Sequence, residues 1–238
     1  MIINILTLFP DFFESTLNVS ILKKAQEKGL VKFNIVNIRD YATDKHQITD
    51  DRPYGGGSGM VMKIEPIDKA LAFLQQENQT DKKRLTILTS AKGDLFSQEK
   101  AQNYSHLDEL TIICGHYEGV DERVAENLVD EEIRIGDYVL TGGEPASLVM
   151  LDSIVRLLPG VLGNEESIAD ESHSEPGVLG YPQYTRPENY KGWKIPKILL
   201  RGNHQKIADW REQNKSAKPT GGQSESRSER EYPGVKKV

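Results

Sequence analysis

One cysteine in 238 residues, Cys114, rules out an internal disulfide and any zinc site assembled from several cysteines. It sits in the apolar run Thr111-Ile-Ile-Cys114, where a lone thiol reads as a small core residue rather than a nucleophile. Long hydrophobic runs are missing too: nothing approaches the roughly 20 apolar residues of a membrane span. The opening Met1-Ile-Ile-Asn-Ile-Leu-Thr-Leu-Phe9 lacks the basic leader of a secretory signal. These absences predict a cytoplasmic protein with no membrane partner. Positive charge is in deficit as well, with 30 Lys+Arg against 36 Asp+Glu, a net charge of −6. The deficit is uneven. Residues 186 to 238 carry 13 Lys+Arg and 6 Asp+Glu, so an acidic body precedes a basic C-terminal part, a distribution compatible with RNA binding and equally with a solvated tail.

What is present is an alternation of strand-like and helix-like segments, in a chain whose 37% apolar content supports a core. Residues 1 to 9 and 30 to 39 read as strands, and Ser20 to Lys28 between them as a helix stopped by Gly29. Pro66 opens a helix with Ile67, Ala70, Leu71 and Leu74 on one face, followed by a strand over 84 to 90. Helices near 97 to 104 and 121 to 129 lead to strands over 110 to 114 and 132 to 140. An apolar helix then runs from Pro145 to Leu158, closed by Pro159-Gly160. This order predicts an α/β fold, a mainly parallel sheet with helices on both faces. Residues 1–160 form one domain. The acidic, aperiodic stretch 161–180 reads as a linker, 181–214 as a small helical domain, and 215–238 as a disordered tail. In the helical domain, Ile195 to Leu200 and His204 to Arg211 are the two helical patterns, and Asn203 is placed to cap the second.

Three predicted strands end in glycine: Thr86-Ile-Leu-Thr-Ser-Ala-Lys-Gly93, Thr111-Ile-Ile-Cys-Gly-His-Tyr-Glu-Gly119 and Ile133-Arg-Ile-Gly-Asp-Tyr-Val-Leu-Thr-Gly-Gly-Glu144. Glycine lets backbone approach a ligand where a Cβ would collide, and the helix opening at Pro145 offers unpaired N–H donors. Each end alone is as readily a plain turn; three of them are candidates for one pocket. Arg52-Pro-Tyr-Gly-Gly-Gly-Ser-Gly-Met60 lacks the Gly-Lys-Ser/Thr ending of a nucleotide-triphosphate loop, so its glycines read either as a grip on a ligand or RNA phosphate or as a surface loop. Asp170, Glu171, His173 and Glu175 in the linker lack the fixed spacing of a metal site.

Taken together, Leu8-Phe-Pro10, Asp51-Arg-Pro-Tyr-Gly-Gly-Gly57, Cys114-Gly-His-Tyr-Glu-Gly119, Ile135-Gly-Asp-Tyr-Val-Leu-Thr-Gly-Gly-Glu144, Pro159-Gly-Val-Leu-Gly163, Tyr184-Thr-Arg-Pro187 and Gly202-Asn-His204 resemble a known family. It is that of the bacterial tRNA (guanine-N1)-methyltransferases of the SPOUT class, which modify the guanosine immediately 3′ of the anticodon, tRNA position 37. The resemblance runs from Met1 to about Arg211. It implies methyl transfer from S-adenosylmethionine, a deep trefoil knot, a homodimer whose active sites are shared between subunits, and a possible Mg2+ requirement whose ligands the sequence does not name. It also implies a cofactor held by Leu88, Thr89 and Ser90 in the first loop and by Gly115, Tyr117, Glu118 and Gly119 in the second. The third loop would add Ile135, Gly136, Tyr138, Leu140, Gly142 and Gly143. By the same resemblance Arg52, Gly55, Gly56, Gly57, Arg186 and His204 are RNA-binding candidates.

The chemistry follows from the substrate. The target nitrogen of guanine bears a proton, so methylation needs a base to take it and a donor to stabilise charge on the adjacent carbonyl oxygen. The family's arginine matches Arg156. Its linker aspartate falls on Glu171, with Asp170 beside it, so either carboxylate is the expected base. Other departures are Ala91 for a common proline, His116 for a common arginine, and a tail after Asn214 unlike the family's basic helical ending. The glutamate replacement also raises a second reading, a non-catalytic RNA-binding protein that keeps the fold.

Overall fold

A computed structural model describes residues 1–75, 82–163, 171–175, 177–200 and 202–217. Contacts divide the chain into two compact units, Met1–Gly163 and Asn164–Val238. The first contains a five-stranded sheet of β1 (Ile2–Thr7), β2 (Lys32–Asn37), β5 (Arg84–Leu95), β6 (Glu109–Cys114) and β7 (Glu131–Arg134) in the order β2-β1-β6-β5-β7. Every neighbour pair is parallel, with registers such as Ile5↔Ile35, Ile5↔Ile112 and Ile87↔Ile112. A short antiparallel pair, β3 (Asp50–Asp51) with β4 (Val61–Met62), brackets the glycine-rich loop.

Alternate side chains of a strand face opposite sides, and both sides here are apolar. Ile3, Ile5, Ile87, Leu110, Ile112 and Ile133 pack under α1 (Asp11–Leu17), α2 (Ser20–Glu27), α4 (Gln98–Ser105) and α6 (Glu144–Val155). Leu6, Val36, Leu88 and Ile113 pack under a 3-10 turn (Ile38–Tyr41), α3 (Ile64–Gln75) and α5 (Glu122–Asn127). Each buried Ile or Leu contributes about 1.5–3 kcal/mol, so the two-sided burial is the main force holding the layers together. Gly29 ends α2 as its sequence position predicts. With φ 68° it closes a Schellman turn, Gly29 N–H donating to Gln26 O (2.8 Å) and Leu30 N–H to Ala25 O (3.0 Å).

Two elements differ from their expectations. Strand 132 to 140 stops at Arg134, because its partner β5 shifts register between Thr89 and Asp94 and carries the ladder no further than Leu95↔Arg134. Residues 135–143 leave the sheet as a loop although the run Tyr138-Val-Leu140 imitates a buried strand. The short helix α1 was absent from the predicted order; Phe13 and Leu17, four apart, are its buried face.

Among the described residues of the second unit are two short strand pairs: β8 (Val178–Leu179) with β11 (Ser216–Ala217), and the hairpin β9 (Asn189–Tyr190) with β10 (Trp193–Lys194). A 3-10 turn at Lys197–Leu200 stands where a helix over 195 to 200 was expected, and α7 (His204–Gln213) follows. Asn203 caps α7 as predicted, its side chain accepting from Lys206 N–H at 3.1 Å. Among the described residues no helix is long and apolar enough to cross a membrane.

Candidate functional site

The ends of β5, β6 and β7 surround a cavity of about 490 Å³, within the roughly 300–1,000 Å³ range of small-molecule sites. It lies where ligands bind in parallel sheets, beyond the carboxyl ends of the strands. The wall is made of Leu88 to Lys92, Gly115 to Val120, Glu132 to Gly136 and Tyr138 to Gly143, with Glu122 and Ala125 from α5 and Ala146 from α6. All of the residues expected to hold a cofactor, from Leu88 in the first loop to Gly143 in the third, line this one cavity.

Gly143 is where the three loops meet. Its N–H donates to Gly115 O at 2.7 Å, and Gly115 N–H in turn donates to Thr89 Oγ1 at 3.0 Å. A Cβ on Gly143 would lie 1.9 Å from Thr89 Oγ1 and 2.9 Å from both Cys114 Cα and Gly115 N, so only glycine fits. Ser147, one turn into α6, fastens the junction by donating to Gly143 O at 2.9 Å, and its hydroxyl contacts Cys114 Sγ at 3.1 Å. Burial pushes the Cys114 thiol well above its usual range, which leaves it a neutral core group.

Further out, the third loop turns apolar surface toward solvent. Tyr138 is 57% exposed with its ring over Gly136, where a Cβ would meet the ring at 2.2 Å, and Leu140 and Tyr117 are also exposed. Such rings and branched chains around an opening suit a planar heterocycle. The charged lining comprises Glu118, Glu122 and Glu132 against Lys92 and Arg134. Lys92 is paired with Glu122, and Arg134 donates to Gly93 O (2.6 Å) and Asp137 Oδ1 (2.9 Å). The lining is therefore net negative and favours a ligand carrying positive charge.

Beneath the second and third loops lies a polar pair absent from the expected site. His116 sits between the rings of Phe9 and Tyr117, at 4.8 Å from each, and its Nδ1 is buried without a hydrogen-bond partner. A Cβ on Gly142 would come within 2.4 Å of Glu144 Oε2 and 2.5 Å of His116 Nδ1, so the carboxylate and imidazole face each other across that glycine. Glu144 is only 3% exposed and accepts from Thr7 Oγ1 at 2.7 Å. Lys92, Glu122, Glu132, Arg134 and Val139 also line the cavity without having been singled out, and so does Ala91, which was noted only as a departure from the family's pattern.

The RNA-binding candidates fall in two places. Arg52, Gly55, Gly56 and Gly57 belong to the exposed loop between β3 and β4, which reaches the second cavity loop: Glu118 N–H donates to Met60 O at 3.0 Å, and Met62 N–H to Gly119 O at 2.9 Å. Arg186 and His204 are exposed in the second unit. Arg156 follows α6 and is half-buried, and it is not among the cavity-lining residues. Glu171 belongs to the second unit, where its carbonyl accepts from Ser174 Oγ at 2.8 Å; Asp170 lies outside the described residues. Among the described residues no three His, Cys, Asp or Glu side chains are grouped to hold a metal ion.

A protein from Carboxydothermus hydrogenoformans named tRNA (guanine-N(1)-)-methyltransferase is 54% identical over 211 residues, covering 89% of this chain and 81% of its own. Proteins of the same name from Dictyoglomus turgidum and Anoxybacillus flavithermus are 53% and 52% identical, covering 88% and 89% of this chain and 82% and 85% of theirs. A family model described as tRNA (Guanine-1)-methyltransferase TrmD matches residues 1–225. With that span and those identities, the chain belongs to the TrmD family of tRNA (guanine-1)-methyltransferases.

Proposed function

We propose that this protein transfers a methyl group from S-adenosylmethionine to N1 of the guanosine immediately 3′ of the anticodon in tRNA. The observation that carries the proposal is the glycine cradle at the ends of β5, β6 and β7, with its net-negative lining, in a chain of this family. The cradle fits the group on three counts: volume, exposed Tyr138 and Leu140 for a purine ring, and carboxylates that favour a cation. When bound, S-adenosylmethionine supplies an electrophilic methyl group on a positively charged sulfur.

The chain's own residues do the rest. Backbone groups of the three loops satisfy the polar edge of the ligand, and Glu118 at the tip of the second loop is suited to accept from sugar hydroxyls. A linker carboxylate, Glu171 or its neighbour Asp170, removes the proton from the guanine nitrogen. Arg156 stabilises the negative charge that develops on the adjacent carbonyl oxygen. Arg52 with the glycines at 55–57, and Arg186 with His204, contact the tRNA backbone.

We further infer a trefoil knot, on the strength of membership of this family alone. The domain reading is 1–160 for cofactor binding, 161–180 as linker and 181–214 as a helical tRNA-binding domain, with the tail beyond 217 outside the described residues. In a homodimer the linker and C-terminal domain of one subunit would close over the cofactor loops of the other, which gives the linker its purpose. A cytoplasmic location goes with a tRNA substrate. Tritiated-methyl transfer to tRNA transcripts differing only in the base after the anticodon tests the whole. Incorporation confined to the guanosine transcript is expected; incorporation independent of that base, or none, sinks the proposal.

A further inference from the structure

The hairpin of β9 and β10 is small, yet it displays the chain's most exposed tryptophan. Its two-residue turn, Lys191-Gly192, has φ of 53° and 89°, the positive pair that a right-twisted two-residue hairpin requires. Asn189 Oδ1 accepts from Gly192 N–H at 2.9 Å, and Ile195 N–H donates to Glu188 O at 3.2 Å, so the ladder continues one rung past the paired residues. Directly paired residues project to one face. Tyr190 and Trp193 are such a pair, with ring centroids 5.9 Å apart and planes inclined by 55°.

Cross-strand packing accounts for the face of each ring turned toward the other. It does not account for the outer faces, which leave Trp193 72% and Tyr190 53% exposed. Positive charge is close by: Lys191 Nζ stands 5.3 Å from the Tyr190 ring centre, Lys194 ends β10, and Arg186 and Lys197 flank the hairpin in sequence against Glu188 alone. An aromatic step open to solvent and bordered by positive charge has the composition of a stacking platform for unpaired nucleotides, with the indole for a base and the lysines for its phosphates.

We propose that the Tyr190–Trp193 hairpin is a second nucleic-acid contact, on which an unpaired base of the tRNA stacks against Trp193 while Lys191 and Lys194 neutralise the adjoining phosphates. The inference rests on the reading that the chain acts on tRNA. It adds a base-stacking site to that reading and takes no part in the proton chemistry.

Two tryptophans in the chain make the test direct. Trp210, in α7, packs 6.4 Å from Tyr184 and is replaced by phenylalanine, so that Trp193 of the full-length protein becomes the sole tryptophan emitter. Titration with unmodified tRNA is expected to quench that emission saturably. In the otherwise native chain, Trp193→Ala is expected to weaken tRNA binding about tenfold or more, and Trp193→Phe to restore most of it, as stacking predicts. Trp193→Ala keeps the slope of log Kd against log salt, whereas Lys191→Ala and Lys194→Ala each lower it by about one. S-adenosylhomocysteine binding, followed by calorimetry, stays at its native value in all of them, and Trp210 emission in Trp193→Ala reports that the unit is folded.

Unquenched Trp193 emission, or unchanged tRNA affinity in Trp193→Ala, overturns the inference. So does Trp193 emission that follows protein concentration instead of tRNA, because the platform would then be a contact between copies of the chain. Methyl incorporation by the native protein is measured on the same preparation. Incorporation with an unquenched Trp193 removes the hairpin site alone, and absence of incorporation and binding removes the tRNA reading with it.

Discussion

The two units spend their apolar residues in opposite ways. Met1–Gly163 buries them on both faces of a parallel sheet, and every fully buried side chain among the described residues belongs to it. None of the described residues from 171 to 216 is buried; Tyr184, Tyr190, Trp193 and Leu200 are exposed. A packed interior supports a cavity held to within tenths of an ångström, as at Gly143. A unit with its aromatics outside is suited to meeting a large partner over a broad surface. On the proposed function, holding a small cofactor and gripping a polynucleotide would divide between the packed and the open parts of one chain.

That contrast breaks first at Gly143. Gly143→Val places atoms on Thr89 Oγ1 and the Gly115 backbone, and is expected to abolish S-adenosylhomocysteine binding, a loss of more than about a thousandfold by calorimetry, with overpacking costing roughly 1–3 kcal/mol or more. Native-like binding in that variant would show the cradle to be softer than its packing implies. Next comes Arg156→Ala, for which single-turnover assays should give about 100–1,000-fold slower methylation with cofactor affinity kept; parallel losses in both would place Arg156 in structure instead of chemistry.

Thr7→Val tests how much the interior depends on satisfied polar groups. It removes the donor to buried Glu144 and the acceptor of Phe9 N–H (2.9 Å), and about 1–3 kcal/mol of stability should go with them in urea unfolding. In the open unit, Asn203→Ala removes only the cap of α7, about 1 kcal/mol, seen as faster amide exchange in that helix. The melting of the first unit should not move; if it does, the two units unfold together. The smallest effect belongs to Asp121→Asn. The hydrogen bond from Arg123 holds the Asp121 carboxyl below its usual range, so its stabilisation is present above the unfolded pKa near 3.8 and lost as pH falls through the lower folded value. The variant should be slightly less stable than the native chain at about pH 7, and the difference should close as pH falls through the lowered folded value.

Much of the first unit was legible because each signal was local. Gly29 ends a helix, Pro145 opens one, and β-branched runs such as Thr111-Ile-Ile-Cys114 are buried on both faces. The cavity loops were legible as glycine-bearing strand ends. Harder to read were features that depend on a distant partner. Ile133 to Leu140 is as apolar as a buried strand, but whether it pairs depends on the register shift in β5. Gly93 enables that shift: a Cβ there would meet the Glu132 carbonyl oxygen at 2.4 Å, and nothing in its neighbours' identity says so. The approach of His116 and Glu144 to Gly142 was invisible for the same reason, since it depends on the folded course of the chain there and not on sequence spacing. In the second unit Asn203 gave its cap away, whereas the hairpin turn at Lys191-Gly192 lacks the usual asparagine and was missed.

The hydrogen bond from Gly143 to Gly115 spans chain segments that come together only after β5, β6 and α6 have docked. A partly folded chain therefore has strands and helices but no cavity, and a ligand of that cavity recognises the completed fold alone. Any molecule seated there raises the apparent stability by RT ln(1 + [L]/Kd), about 2.7 kcal/mol at a hundredfold excess over Kd. Thermal shift then ranks ligands without an assay of turnover, and in the cell the supply of cofactor becomes one of the things that decides how long the protein survives.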